Sequence, residues 1–177
     1  MEIITKEQIL EKLENSQLII KPFKSKNLSE IAYDIELSNE FVLLDVSSSS
    51  IIDPQNYKSF KYIRTHKDEI ILQPQGFILG RSLEWIEIPN NIFAMVSGKS
   101  SLARLGVQVE TAYILHPGHR GYVVLEINNR NVAPIKLRAG MRIAQLLFFE
   151  MNKSVEPYFK TGTFGVQKDI MIPKEIN

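Results

Sequence analysis

The sequence contains no cysteine, and this absence excludes several kinds of structure at once. No disulfide can form, and no metal site can use thiolate ligands. The common zinc-dependent base deaminases need a Cys-x-x-Cys pair for their metal, so that type of centre is excluded as well. Imidazole ligands are also few, because the only histidines are His66, His116 and His119. We therefore expect a protein without zinc, and the composition fits a cytoplasmic one.

Charge of one sign and long apolar runs are also scarce. The net charge is +1, so no overall field attracts nucleic acid or an anionic membrane. The opening MEIITKEQILEK lacks the apolar core of a signal peptide. The run IAQLLFF at 143–149 is far shorter than the ~20 residues that span a bilayer. These features predict a small ligand rather than a nucleic-acid polymer, and no membrane association.

What the sequence does contain is a series of short runs rich in β-branched and aromatic residues. A capping-box pattern at Thr5 and Gln8 predicts a helix over 5–14. Roughly ten later runs are separated by turn residues at intervals of about 8–12, which indicates an all-β barrel or sandwich. No repeat or boundary is visible, so 1–177 is expected to be a single domain. The predicted strands are 17–20, 33–37, 41–45, 69–72, 76–79, 83–88, 92–97, 107–110, 122–127, 134–138 and 142–149.

Two segments have no periodicity. Residues 46–60 are polar and rich in turn formers, and we interpret them as an insertion loop. Residues 152–177 mix glycine, threonine, lysine and aromatic residues. This tail is either a frayed end or a segment that orders over a ligand.

The stretch GKSSLARLG at 98–106 places two hydroxyls between two cations. It could be a single capped helical turn, with Ser100 or Ser101 as the N-cap and Gly106 as C′. It could also cradle a phosphate, because hydroxyls, backbone N–H groups at a helix start and a guanidinium all favour an anion. Arg104 could equally be a solvated helix residue, so the stretch alone does not decide.

Four other side chains could carry chemistry. Glu126 ends the apolar run 122–127 and is either an outward-facing residue or a general base whose pKa is raised by apolar surroundings. Asp34 is either a surface residue or a buried carboxylate that accepts backbone N–H bonds. His116 and His119 have a spacing that could bring two imidazoles together, but no third ligand is visible nearby. We therefore expect no protein-bound metal.

Four segments, taken in order, resemble the superfamily of deoxycytidine triphosphate (dCTP) deaminases and deoxyuridine triphosphatases (dUTPases). The resemblance covers nearly the whole chain, and the spacing between SSLARLG and VVLE is similar to that of the deaminase branch. It implies a distorted β-barrel or jelly-roll fold with a short N-terminal helix. It also implies a homotrimer with active sites between subunits. The four segments are AYDIEL (32–37), GKSSLARLG (98–106), TAYILHPGHRGYVVLEINN (111–129) and GMRIAQLLF (140–148).

The resemblance further implies zinc-independent deamination of dCTP or a close analogue, with Mg²⁺ carried by the nucleotide. Glu126 matches the general base that activates water, and Ser100 and Arg104 match residues that place that water. Arg104 would come from a neighbouring subunit, and the backbone carbonyl of Ala112 would hold the water or the amine. The other matches are ligand contacts: Lys99, Ser100 and Ser101 at the phosphates, Val124 and Leu125 at the base edge through their backbone, His116 at the sugar, and Tyr158 and Gln167 in a tail (about 152–177) that would act as a lid.

Some positions depart from the family pattern. His116 stands where both branches usually carry an aspartate, the catalytic carboxylate of the triphosphatases, which argues against dUTP hydrolysis. Lys99 replaces an arginine and keeps the charge without the bidentate geometry. Tyr113-Ile114 and Thr163-Phe164 replace more polar pairs. Three functions stay open: a dCTP deaminase, a triphosphate pyrophosphohydrolase with or without deamination, and a non-catalytic relative that binds a nucleotide or a protein.

Overall fold

The computed structural model describes residues 1–45 and 51–173, without the side chains of 57–59. The first part of the predicted loop 46–60 and the end of the predicted tail therefore lie outside the described residues. Short 3-10 turns lie at Ser25–Asn27 and Pro54–Ser59. The helices are α1 (Lys6–Glu14), α2 (Ser100–Ala103) and α3 (Tyr158–Thr161), and the strands are β1 (Glu2–Ile3), β2 (Ile19–Lys21), β3 (Ala32–Glu36), β4 (Glu40–Asp45), β5 (Lys61–His66), β6 (Glu69–Leu72), β7 (Phe77–Glu87), β8 (Ile92–Gly98), β9 (Val107–Glu110), β10 (Ile114–Leu115), β11 (Arg120–Asn129), β12 (Ile135–Arg138) and β13 (Arg142–Glu150).

Helix α1 begins where the capping box predicts. The Thr5 N–H donates to Gln8 Oε1 at 2.8 Å, and the reciprocal half of the box is also present. Ile9 is fully buried and Leu13 packs at the edge of the core. The apolar side of the helix therefore holds it against the sheets. Within the described residues, no helix is long and apolar enough to cross a membrane.

The strands form two large antiparallel sheets and one separate pair. The first sheet has the order β1-β13-β8-β10, with β3 also paired to β13, and the second has the order β5-β4-β7-β11-β9, with β2 also paired to β7. Strands β6 and β12 pair with each other. The predicted all-β class is confirmed. Among the described residues, however, the sheets end at edge strands, and backbone hydrogen bonds do not close them into one barrel.

Strand β7 joins two strands that the sequence predicts separately. The polar residues between them do not end the strand because they bond to its neighbours. The buried Ser82 hydroxyl accepts the N–H of Val123 at 2.9 Å and donates to the carbonyl of Glu84 at 2.7 Å. The partner strand β11 has a register shift between Tyr122 and Val124 beside this serine. A polar run thus continues the sheet at a bulge.

The sequence pattern does not predict β1, β5 or β10. Strands β1 and β10 have two residues each, and β5 is the polar run KYIRTH. These strands exist because neighbouring strands pair with them: β13 pairs with β1, β4 with β5, and β8 with β10.

Strand β11 positions the candidate base. Its burial alternates along the strand: Val123, Leu125 and Ile127 face the core, while Val124 and Glu126 face the other side. Glu126 therefore points away from the core, because successive side chains point to opposite sides of a pleated sheet.

The helical turn predicted in GKSSLARLG is present, with different caps. Lys99 is the N-cap of α2, so Ser100 and Ser101 are inside the helix rather than at its cap. Arg104 is the C-cap, so Gly106 is one residue beyond C′ rather than at C′ as expected, and it has a φ of +87°. A Cβ atom there would lie 2.9 Å from the Cβ atom of Asn131, so the chain can return into β9 at this point only with glycine.

Candidate active site

Glu126 lies on β11 with Leu79 of β7 and Glu110 of β9 as its cross-strand neighbours. Its Oε2 atom is buried and has no hydrogen-bond partner among the residues that the structure describes. Burial raises the pKa of the Glu126 carboxyl to about 7, and the negative charge of Glu110 adds to the rise. A carboxyl that is partly protonated near neutral pH can both accept and donate a proton.

A cavity of about 170 Å³, which we call the carboxyl cavity, opens beside this side chain. Its walls come from the segment between β9 and β11, from the outer face of β11 and from the C-terminal segment. The structure therefore brings together segments that are far apart in the sequence. Six predicted site residues line it: Ala112, His116, Val124, Glu126, Tyr158 and Gln167.

The two histidines of this segment have different environments. The His116 ring stacks on Tyr158, with centroids 5.1 Å apart and an angle of 7° between planes. His119 is buried with Nε2 at 3.3 Å from the Gly121 carbonyl oxygen, and burial lowers the pKa of its imidazole to about 4. His119 is therefore neutral at physiological pH. In the described parts of the chain, no group of three or more His, Asp or Glu side chains could hold a metal.

The C-terminal segment packs along the start of β11. The Gln167 N–H donates to the Arg120 carbonyl at 2.9 Å, and the Gln167 carbonyl accepts the N–H of Tyr122 at 2.8 Å. Gly121 has a φ of +136°, and a Cβ atom there would overlap the Gln167 carbonyl. Ile170 is fully buried. The described part of the tail is thus ordered rather than frayed, and its action as a lid stays a prediction.

Ala112 lies in a tight turn at the cavity. The Ile114 N–H donates to the Ala112 carbonyl at 2.5 Å, and Tyr113 between them has a φ of 52°, which is unfavourable for a residue with a side chain. The Tyr113 carbonyl accepts the N–H of Val96 at 2.9 Å, which holds the turn against β8. A carbonyl oxygen has two lone pairs, so the Ala112 oxygen can accept one further hydrogen bond.

Lys99 does not reach the carboxyl cavity. Its Nζ lies 2.6 and 2.7 Å from the two carboxylate oxygens of Asp34, and Arg142 Nη1 lies 3.2 Å from one of them. Asp34 is buried, as one expectation had it, but its partners are cations rather than the backbone N–H groups expected. Within one chain Lys99 is an ion-pair partner, and its role at phosphates stays a prediction.

Three other predicted residues lie outside this cavity. Ser100, Ser101 and Arg104 are exposed on and beside α2 and do not line it. The Leu125 side chain is fully buried in the core, so only its backbone could meet a ligand. The predicted catalytic set is thus divided within one chain: Glu126 is at the cavity, while the hydroxyls and the guanidinium are on the surface.

Sequence reasoning assigned no role at the carboxyl cavity to seven residues that line it: Thr111, Ile114, Leu115, His119, Val123, Phe164 and Met171. Thr111 precedes the tight turn, and Phe164 and Met171 come from the tail. No pattern in the tail could have identified the last two, because the segment has no periodicity. Their position follows from its docking on β11, which only the three-dimensional structure reveals.

The model of a known protein family described as dCTP deaminase-like matches residues 3–151. Curated proteins are also similar. A dCTP deaminase of Acidobacterium capsulatum is 34% identical over 167 residues, which cover 88% of this chain and 91% of that protein. A dCTP deaminase of Neisseria meningitidis is 35% identical over 152 residues, 85% of this chain and 80% of that protein. A dUMP-forming dCTP deaminase of Persephonella marina is 33% identical over 159 residues, 88% of each.

Two solved structures show the same fold. The dCTP deaminase of Agrobacterium tumefaciens superposes with a TM-score of 0.63 at 18% identity, covering 82% of this chain. This chain spans about half of that protein's chain, 47% of its length. A dUTPase of Staphylococcus bacteriophage 80alpha superposes with a TM-score of 0.50 at 15% identity, covering 78% of this chain and 96% of that one. At these identities the likeness establishes a dUTPase-like fold.

Proposed function

This chain belongs to the dCTP deaminase-like family, and from that premise we propose that it catalyses the zinc-independent hydrolysis of dCTP, or a close analogue, to dUTP and ammonia. The observation that carries the proposal is the Glu126 carboxyl, whose pKa is raised to about 7 at the wall of a cavity. The site is built from residues that match the family's substrate contacts. His116 in the usual aspartate position counts against a pure dUTPase.

In the proposed mechanism Glu126 handles both protons of the reaction. It removes a proton from water as the oxygen adds to C4 of cytosine, and it delivers that proton to N3. The second proton moves from the new C4 hydroxyl to the amine, the C4–N bond breaks, and ammonia leaves as C4=O forms. One water is consumed and one ammonia is released. A carboxyl with a pKa near the working pH suits both directions of transfer.

The other predicted residues would bind and orient the substrate. His116 and Tyr158 would hold the sugar, the backbone of Val124 and Leu125 would read the base edge, and Gln167 would contact the ligand from a tail that closes as a lid. Mg²⁺ would arrive on the triphosphate, as part of the substrate, and neutralise phosphate charge. A cytoplasmic location stays a prediction.

We also propose a homotrimer, and one surface supports this. The outer side of the β13-β8-β10 sheet carries apolar side chains, which we call the apolar outer face. Met95 is 42% exposed and lies beside Ile114, which is 45% exposed. The Phe93 and Phe149 rings stack with centroids 5.0 Å apart. Contiguous exposed apolar surface of this kind marks an interaction site. Its members are Ile3, Phe93, Met95, Ile114, Leu147 and Phe149.

Self-association through this face would complete the catalytic set. Strand β8 runs directly into α2, so the exposed Ser100 and Arg104 lie at the edge of the apolar outer face. We propose that α2 of one subunit approaches the carboxyl cavity of the next. The Arg104 guanidinium would then supply, across the interface, the charge that the single-chain cavity lacks within the described residues.

A product assay tests the reaction. The protein is incubated with dCTP and Mg²⁺, and ammonia and pyrophosphate are followed separately. We expect ammonia without pyrophosphate. Release of both would show a combined deaminase and diphosphatase, an alternative supported by the name of the Persephonella relative. If neither product forms while dCTP still raises the melting temperature, the protein is a non-catalytic binder and the proposal is wrong.

A mixing experiment tests the shared site. The Glu126→Gln and Arg104→Ala variants are each expected to be inactive, and unfolding and refolding an equal mixture should restore about a quarter of native activity. A quarter is expected because a shared site is intact only when each neighbour supplies its native residue. Each variant refolded alone is the control. Absence of recovery, with mixed oligomers verified by mass, would place both residues in the same subunit's site.

His116 has its own test. We expect the native protein to distinguish dCTP from its 3′-deoxy analogue less well than the His116→Asp variant does, because an aspartate carboxylate accepts a hydrogen bond from the 3′-hydroxyl more strongly than an imidazole ring does. The ratio of kcat/KM for the two nucleotides measures this. Equal ratios in both proteins would remove His116 from the sugar site.

A further inference from the structure

A second cavity lies next to Glu126 and is not used by the proposed mechanism. It has a volume of about 440 Å³, within the ~300–1,000 Å³ range of small-molecule sites. We call it the apolar cavity. Its walls come from β4, from residues 52–54 and 60–62, from β7 and from the described part of the tail. The principal apolar wall residues are Leu44, Ile52, Pro54, Phe60, Phe77 and Leu79.

The two cavities share part of their lining. Glu126, Phe164 and Met171 border both of them. Leu79 pairs directly with Glu126 across the β7–β11 ladder, so the wall of the apolar cavity begins beside the carboxyl. A ligand atom placed at the Glu126 carboxyl therefore has the carboxyl cavity on one side and the apolar cavity on the other.

The lining of the apolar cavity selects against charge. Among the described residues that line it, the polar side chains are Glu126, Tyr62 and Asp53, and the Asp53 carboxylate accepts the backbone N–H of Gln55 at 2.9 Å. A negatively charged group would meet two carboxyls and lose its hydration among leucine, proline and phenylalanine side chains. A neutral apolar group would instead gain from leaving water.

The geometry of a cytosine nucleotide indicates which group enters. In the pyrimidine ring C4 lies opposite N1, which carries the sugar, and C5 is adjacent to C4. If C4 faces Glu126 while the sugar lies with His116 and Tyr158, the C4 end of the ring lies at the wall that the two cavities share, and a substituent on the neighbouring C5 can extend into the apolar cavity. We propose, building on the proposed deaminase function, that the apolar cavity receives an apolar substituent at C5. The protein would thus act on 5-alkyl or 5-alkynyl deoxycytidine triphosphates as well as dCTP.

Comparison of substituted nucleotides tests this inference. The probes are dCTP, 5-methyl-dCTP, 5-propynyl-dCTP and the charged 5-carboxy-dCTP, and the measurement is kcat/KM from ammonia release. We expect 5-propynyl-dCTP to react within about fivefold of dCTP, and 5-carboxy-dCTP to be at least ~100-fold poorer. A 100-fold loss with the propynyl substrate, or equal rates with propynyl and carboxy, overturns the proposal.

Filling the cavity supplies the matched variants. Leu79→Phe and, independently, Leu44→Phe should lower the propynyl-to-dCTP ratio of kcat/KM at least tenfold, because the added ring occupies the space of the substituent. Ile63→Phe is the control, since Ile63 is 52% exposed and does not line the cavity. An unchanged ratio in a folded variant at either cavity position contradicts the inference.

Binding separates this inference from the proposed function. If dCTP is not deaminated, the proposed function fails, and dissociation constants for the same nucleotides then decide about the cavity. Affinity for 5-propynyl-dCTP at least equal to that for dCTP, reduced by Leu79→Phe, supports the apolar subsite. Weaker binding of the propynyl nucleotide by tenfold or more, or no binding of either nucleotide, rejects it.

Discussion

Replacing Glu126 by glutamine should make the protein more stable above pH 7. Burial raises the pKa of this carboxyl from 4.5 to about 7, so the folded state holds a proton that the unfolded state releases. This contribution to stability is fully present below pH 4.5 and is lost as the pH rises through about 7. The neutral amide has no charge to bury, and the buried Oε2 that it replaces has no partner among the described residues.

The size of the effect follows from the pKa. A rise from 4.5 to about 7 corresponds to an upper value of about 3 kcal/mol at 1.36 kcal/mol per pH unit. Solvent reaches part of the side chain, which reduces the effect to about 1–2 kcal/mol. For a chain of this length, that is a rise in melting temperature of about 2–8 °C.

Thermal denaturation at pH 5 and pH 8.5 measures the effect, at one protein concentration because the protein is proposed to be oligomeric. We expect nearly equal melting temperatures of the native and Glu126→Gln proteins at pH 5, and a more stable variant at pH 8.5. Glu11→Gln, at an exposed site on α1, is the matched control. The same difference at both pH values would show that the Glu126 carboxyl is not perturbed by burial.

Three further outcomes are expected. In Glu110→Gln, loss of a nearby negative charge should lower the pKa of Glu126. The acid limb of the pH–rate profile should therefore move to lower pH, and an acid limb at the native pH contradicts this. In Gly121→Ala, the added methyl should displace the Gln167 carbonyl and with it the tail. We expect KM for dCTP to rise on the order of tenfold and a protease to cleave the tail faster, and unchanged cleavage contradicts this. Burial raises the pKa of the Glu84 carboxyl to about 7, so the native protein should lose stability between pH 5 and pH 8, and Glu84→Gln should lose less. Thermal denaturation at the two pH values measures this, and an equal loss in both proteins contradicts it.

The sequence predicts the long strands well because their β-branched and aromatic runs form the core. The helix at 5–14 is also predictable, since the Thr5–Gln8 box is a local signal. Strand β5 and the two-residue strands are not, because they exist through their pairing partners. The continuity of β7 was unpredictable for a similar reason: buried Ser82 bonds to another strand, and no local pattern reveals such a bond.

The candidate site was predictable only in part. The resemblance predicts Glu126 and five further site residues that the structure gathers around the carboxyl cavity, and their roles stay predictions. Composition and periodicity cannot reveal that Lys99 pairs with Asp34, since the two residues are 65 positions apart. The apolar cavity is likewise hidden, because it forms where the β4–β5 hairpin meets the docked tail.

We propose that Glu126 moves the protons in dCTP deamination without being needed to bind the nucleotide. The most direct measurement is ammonia release from dCTP by the native and Glu126→Gln proteins, together with the dissociation constant of dCTP for each. In the glutamine variant, turnover is expected to fall by at least ~10²-fold while affinity stays within a few-fold of the native value. A glutamine variant that releases ammonia at a rate near that of the native protein would contradict it.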